Sequence, residues 1–226
     1  MKFLFKYPTM GRPDWFKETL KTYQKMLSGK NEYQFIVSLN FDDESMLTPD
    51  MIKFLNEQPN LEFYTSDHKS KIEACNADIE GRDFDILFLI SDDMIPIVQD
   101  FDLIISKSMQ EHFPDLDGAV WFNDGLFGED RTITLSILGK KLYEYFGYIY
   151  HPDYKSFYCD NEFTDCVLEL DKVHYFEQVI VKHEWTGGPK GDNTYRKNSK
   201  LGKPDKATYN RRKSINFPRR IHVHPA

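Results

Sequence analysis

The stretch FDILFLISDDMIP, Phe84 to Pro96, decides how the chain is read. Its first half, ILFLI, is apolar on both faces, as a strand buried inside a parallel sheet requires. It stops at Ser91-Asp92-Asp93. In open α/β sheets, ligands bind beyond the carboxyl ends of such strands. Two adjacent carboxylates repel, and burying them unpaired disfavours ionisation. A divalent cation removes that cost, because hard oxygen ligands suit Mg2+ or Mn2+. The alternative for the same residues is a turn whose aspartate caps the next helix.

Strand and helix patterns alternate around this stretch. Lys2–Tyr7 reads as a first strand, followed by the turn PTMGRPDW. Asp14–Ser28 carries Trp15, Leu20, Tyr23, Met26 and Leu27 at helical spacing, with Ser28-Gly29 as its stop. YQFIVSLNF is a second strand, and DDESMLTPD is a loop leading to a short helix at Met51–Asn56. LEFYTS is a third strand, KSKIEACNADIEG a helix ending at Gly81, and FDILFLIS a fourth strand. The alternation predicts an α/β domain with a mainly parallel central sheet flanked by helices. Further on, DGAVWFND reads as a strand, ILGKKLYEYFG and CDNEFTDCVLEL as helices, and YFEQVIVKHEW as a late strand. Beyond Trp185 the pattern dissolves into Gly, Pro, Asn and Lys, which predicts loop or partial disorder.

The bulk properties set limits. The 226 residues are 40% hydrophobic and 15% aromatic, a globular composition with enough chain for a sizeable core. Cys75, Cys159 and Cys166 are too few for a disulfide framework and form no CxxC pair, which fits a reducing compartment. The apolar run at the start is too short for a signal peptide, and none approaches the roughly 20 residues that span a bilayer. A soluble, cytoplasmic protein is expected. The net charge of −7 is uneven: from Lys182 onward there are 12 Lys and Arg against 3 acidic residues. A basic end on an acidic body has an anionic partner, a membrane surface or the body itself as its natural targets. The acidic body argues against nucleic-acid binding.

Other residues carry chemistry by type and place. Asp160 and Glu162 open a helix, where the dipole favours acids in any case; either also suits a general base presented at a helix start. His183 ends the late strand and, as a metal ligand, would complement Asp93. Lys71 and Asn76 lie on a helix after the third strand. The aromatics of KKLYEYFGYIYHPDYKSFY suit sugar faces, but ordinary core packing is the leading account for most of them. His222 and His224 form an HxH pair near the chain end.

In this order the segments PTMGRP, SLNFDD, KIEACNA, ISDDM, CDNEF and KHEW resemble the GT-A fold glycosyltransferases, especially inverting enzymes similar to family 2, over roughly residues 2–190. The resemblance implies a single GT-A-like, Rossmann-like catalytic domain over 1–190 and a basic tail over 191–226, serving as a lid on the donor site or remaining flexible. It implies a metal-dependent glycosyltransferase that moves a sugar from a nucleoside-diphosphate-sugar, expected to be a UDP-sugar, to a glycan or other hydroxyl acceptor. The cofactor would be Mn2+ or Mg2+. By the same resemblance, Thr9 and Arg12 line the nucleotide, and Asp42 or Asn40 meets the donor base. Lys71 and Asn76 contact the donor. SDD looks like a form of the DXD motif with Ser91 in place of its first Asp, so that Asp92 touches ribose or sugar and Asp93 the metal, together with His183. Trp121, Asn123 and Asp124 fall where a loop under sugar and acceptor lies. Asp160 aligns with the catalytic base, with Cys159 in place of the preceding Glu, and Glu162 competes for the role. Lys190, Arg196 and Lys197 would add positive charge from the tail. A nucleotidyltransferase acting on a sugar phosphate, a metal-dependent phosphatase and a non-catalytic nucleotide- or sugar-binding domain are the alternatives. The first usually needs a Gly-rich phosphate loop, and PTMGRPDW holds one Gly.

Overall fold

A computed structural model describes residues 1–126, 132–184 and 198–217. Its centre is a seven-stranded sheet in the order β3-β2-β1-β4-β7-β6-β8. The strands are β1 (Lys2–Pro8), β2 (Glu32–Asn40), β3 (Leu61–Ser66), β4 (Ile86–Leu89), β6 (Ala119–Phe122), β7 (Ile137–Gly139) and β8 (Val173–Phe176). β1 runs parallel to β2 and β4, and β2 parallel to β3. β7 is antiparallel to both β4 and β6, while β6 and β8 are parallel. The expected mainly parallel α/β sheet is therefore present, with one reversed strand inside it.

Alternation along β1 builds the two faces. Phe3, Phe5 and Tyr7 join one buried cluster, where Phe5 stacks on Phe35 at 4.9 Å and packs near Phe88 and Phe101. Helices α1 (Pro13–Met26), α2 (Pro49–Asn56) and α4 (Phe101–His112) cover this face. Leu4 turns the other way, toward Ile72, Leu138, Leu142 and Phe163 of α3 (Lys71–Asn76), β7, α5 (Lys140–Phe146) and α6 (Cys159–Glu169). All four residues of β4 are buried, as its unbroken apolar run requires.

Local signals set the helix starts. Pro13 opens α1, with Asp14 in its first turn. The Thr48 hydroxyl accepts from Met51 N–H at the start of α2, and the Ser70 hydroxyl from Glu73 N–H at the start of α3.

Several boundaries differ from the sequence expectation. The helix expected to run to Gly81 stops at Asn76, because Asp78 takes a left-handed φ of 63° and turns its carboxylate to the Ser38 hydroxyl. ILG is strand, not helix. It fills the sheet beside β4, and Gly139 passes so close to the backbone of Leu116 that a Cβ there would meet its oxygen at 2.3 Å. The single late strand is two. β8 closes the main sheet, then the chain leaves it so that β9 (Val181–His183) pairs antiparallel with the short β5 (Met94–Pro96). Helix α4 had no sequence assignment, although Phe101, Ile105 and Met109 recur every fourth residue and are buried. Finally, the tail expected to be loop carries α7 (Gly202–Lys213), docked against α6. Lys190, Arg196, Lys197, His222 and His224 lie outside the described residues. No helix among the described residues is long and apolar enough to cross a membrane.

Candidate active site

The carboxyl ends of β1 and β4 meet at Thr9 and Asp92. The Thr9 hydroxyl lies 3.0 and 3.1 Å from the two carboxylate oxygens of Asp92, and the Thr19 hydroxyl of α1 donates to the Asp92 carbonyl at 2.8 Å. Asp92 is 6% exposed. Burial pushes its carboxyl up to about 7, against the pull of the Thr9 hydrogen bond and the Arg12 guanidinium.

Asp93 has partners of its own. One oxygen accepts from the Ser91 hydroxyl at 2.5 Å. The other lies 3.8 Å from Arg12 Nη1 and 3.9 Å from His183 Nε2. The β5–β9 pairing makes this meeting possible, since Met94 stands opposite His183. Backbone bonds lock both ends: His183 N–H donates to the Asp124 carbonyl at 2.8 Å, and Glu184 N–H to the Asp93 carbonyl at 2.7 Å. His183 Nδ1 is 3.5 Å from Asp124 Oδ2, without a hydrogen bond. The Asp124 carboxylate is itself held by Thr134 Oγ1 at 2.6 Å and Leu126 N–H at 2.9 Å.

Two helix starts complete the cluster. Asp160 lies in the first turn of α6, and Lys71 opens α3. Burial raises the Asp160 carboxyl above its usual range, while the Asn161 N–H, Lys71 and His183 hold it down. For Lys71, burial acts to lower the ammonium, but Cys75, Asp93, Cys159 and Asp160 together carry it above its usual value. Lys71 of α3 and Asp160 of α6 thus act on each other, with Asp93 from the turn before β5 acting on Lys71 and His183 of β9 acting on Asp160.

Other candidates sit elsewhere. Glu162 is 4% exposed and held by Arg212 of α7 through two 2.7 Å bonds. The Asn76 amide is spent on the backbone of Ile149 and Tyr150. Trp121 is in the core, edge-on to Tyr175. Asn123 bonds Glu177 and Gly125 N–H. Asp42 is exposed; its neighbour Asp43 is the inward carboxylate, accepting from Gly11 N–H at 2.6 Å, and sequence reasoning missed it. Asn40 brackets the His68 backbone on both its N–H and carbonyl. Of the expected aromatic platform, Phe146, Tyr150 and Tyr154 belong to the core and Tyr145 is exposed.

A cleft of about 140 Å3 lined by Trp15, Glu18, Thr19, Asp92, Asp93 and Glu184 opens on this region. A larger polar hollow of about 360 Å3, around Met1, Lys2, Glu32 and Asp85, lies at the opposite, amino ends of β1, β2 and β4. Among the described residues no three His, Cys, Asp or Glu side chains converge on one point. The carboxylate of Asp93 and the imidazole of His183 are donor types that suit a divalent cation. Two donors of one ion at ordinary oxygen and nitrogen ligand distances stand about 3–4 Å apart, and the pair is separated by 3.9 Å. Asp124, 3.5 Å from the buried Nδ1, stands where an orienting partner of His183 would be.

No protein-family model matches the sequence, and no curated protein does. Solved structures do match. The mannosyltransferase PcManGT from Pyrobaculum calidifontis, in complex with GDP-Man and Mn2+, gives a TM-score of 0.66 at 13% identity, over 96% of this chain and 65% of that one. S. aureus TarS 1–349 in complex with UDP-GlcNAc gives 0.65 at 14% identity, over 84% of this chain and 60% of that one. The chain thus spans under two thirds of either structure. The 4-diphosphocytidyl-2C-methyl-D-erythritolsynthase of Anaerococcus prevotii gives 0.51 at 12% identity, over 82% of this chain and 91% of that one. What is shared at such identities is the fold, and the chain has the GT-A-like α/β fold found in these glycosyltransferases.

Proposed function

We propose that this chain is a metal-dependent glycosyltransferase that moves a sugar from a nucleoside-diphosphate-sugar to an acceptor hydroxyl with inversion. The observation that carries the reading is the meeting of Asp93 and His183 at the carboxyl edge of the sheet, within electrostatic reach of Lys71 and Asp160. The fold neighbours in complex with GDP-Man and Mn2+, and with UDP-GlcNAc, support the class of donor.

Each residue has a task in this reading. Asp93 and His183 would hold Mn2+ or Mg2+, and a cation there would supply Lewis-acid neutralisation of the diphosphate charge. Arg12 and Lys71 add fixed positive charge beside it. Asp92, held by Thr9, faces ribose or sugar. Asp160 takes the proton of the acceptor hydroxyl as that oxygen attacks the anomeric carbon from the face opposite the diphosphate. Burial raises the Asp160 carboxyl, making it a better base once ionised. Asp43 and Asn40 stand at the end of β2, where the donor base is proposed to lie. Glu162, consumed by Arg212, is left out of the chemistry.

A second reading, nucleotidyl transfer to a sugar phosphate, is favoured by the Anaerococcus prevotii match, which spans nearly all of that enzyme. Product analysis separates the two. The chain would be incubated with Mn2+ and UDP-GlcNAc, UDP-glucose or GDP-mannose, and separately with nucleoside triphosphates and sugar phosphates. Release of a nucleoside diphosphate supports glycosyl transfer. Pyrophosphate release from the triphosphates would replace it with the second reading.

A further inference from the structure

Helix α7 is joined to the proposed active site by two buried carboxylates. Asp205, 2% exposed, accepts the backbone N–H groups of Lys155, Ser156 and Phe157 at 3.0, 2.8 and 2.8 Å. These three residues form the loop that enters α6. Successive N–H groups turned to one point make an anion cradle, and here an acid of the same chain fills it. One turn later in the path, Glu162 receives Arg212 Nε and Nη2 at 2.7 Å each, and the buried Tyr154 hydroxyl at 2.7 Å. Arg212 and Glu162 are each 4% exposed. Outside this pair, Tyr209 and Lys213 bond Asp165, and Arg211 bonds Asp153.

Asp160 lies between the cradle and the ion pair. Two residues apart on a helix, at about 100° each, place Asp160 and Glu162 on nearly opposite sides. One is drawn to Arg212 and the other stays with Lys71 and His183. A fixed Glu162 therefore sets the rotation of the first turn of α6, and an Asp205-bound loop sets its height.

We propose that Arg212 is a positioning residue for Asp160, acting through Glu162, with Asp205 as its second anchor. This rests on the reading of Asp160 as the base. Such a clasp needs fork geometry, which Lys does not supply. A base misplaced by about 1 Å costs on the order of 100-fold in rate.

The test uses the full chain with Mn2+ and whichever of UDP-GlcNAc, UDP-glucose and GDP-mannose binds, reading nucleoside diphosphate release with water as acceptor. The variants are Asp160→Asn, Arg212→Met, Arg212→Lys and the double variant Glu162→Gln/Arg212→Met. The double variant removes both buried charges, so its Tm should recover toward wild type relative to Arg212→Met. Positioning predicts that its kcat stays down by about 10-fold or more while donor affinity changes by less than about twofold. Arg212→Lys should fall between wild type and Arg212→Met. Wild-type kcat in the double variant would overturn the proposal while leaving the base reading intact, as would donor binding lost in step with turnover. Wild-type turnover in Asp160→Asn, or no donor bound at all, would sink the functional reading and the clasp with it.

Discussion

His183 Nε2 faces Asp93 Oδ2 across 3.9 Å, and the antiparallel pairing of β9 with β5 sets that separation. Neither residue belongs to the main sheet. Each hangs from a two-stranded ribbon beside it, so the site depends on a register that a one-residue slip would destroy. Asp124 stands behind the imidazole at 3.5 Å. Replacing it with Asn removes the carboxylate beside Nδ1, and should weaken Mn2+-dependent nucleotide binding by about 10- to 100-fold. Calorimetric titration at several Mn2+ concentrations measures this. Saturating metal should restore the binding.

Asp160→Asn should keep donor binding and lose about 100-fold or more in turnover, because only proton removal is touched. The pH profile carries a second signature. A base must be ionised to act, so activity falls as pH drops through its pKa. Burial raises the Asp160 carboxyl, so the acid limb of kcat/KM should lie above the usual carboxylate range. Steady-state rates across pH locate that limb.

Arg212→Met leaves the Glu162 carboxylate buried with Tyr154 as its hydrogen-bond partner among the described residues. Breaking a buried pair in this way costs about 3–5 kcal/mol, more than the pair itself contributes. Urea unfolding of the single and double variants should show the single as the less stable. Equal stability would mean that the charge of Glu162 is reached by water.

Lys6 supplies a different pH dependence. It is wholly buried between β1 and β2, against Ser38 and Asp78. Burial lowers its ammonium from 10.5 to about 8, with Asp78 opposing. Below pH 8 both folded and unfolded chains hold the proton, and the folded state bears the full cost of burying it. Between about 8 and 10.5 the unfolded chain binds more protons, so the stability of the wild type rises with pH. The difference in unfolding free energy between wild type and Lys6→Met should shift in favour of wild type across that window. A flat difference would show that Lys6 stays charged in the folded state.

The sequence carried the sheet because β1, β2 and β4 are apolar runs separated by helical patterns, while the mostly exposed β3 shows only the alternation of Leu61 and Phe63. Thr9, Asp92 and Asp93 stood out because they follow apolar strand runs, and His183 because it ends one, where polar side chains fall outside the core pattern. It did not carry α7, whose face is polar and whose docking rests on Asp205 and Arg212 rather than on an apolar stripe. Nor did it separate Asp42 from Asp43: the choice depends on which one the turn after β2 points at Gly11. By residue type Glu162 competed with Asp160, and Arg212, far along the chain, is what engages Glu162 in the fold.

The most direct measurement is a calorimetric titration of the chain with UDP-GlcNAc and GDP-mannose, with Mn2+ and with EDTA, on wild type and Asp93→Ala. The account predicts that one donor binds with Mn2+, and that EDTA and Asp93→Ala each abolish the binding. Binding that ignores both the metal and the substitution would contradict it and leave Ser91-Asp92-Asp93 as a turn.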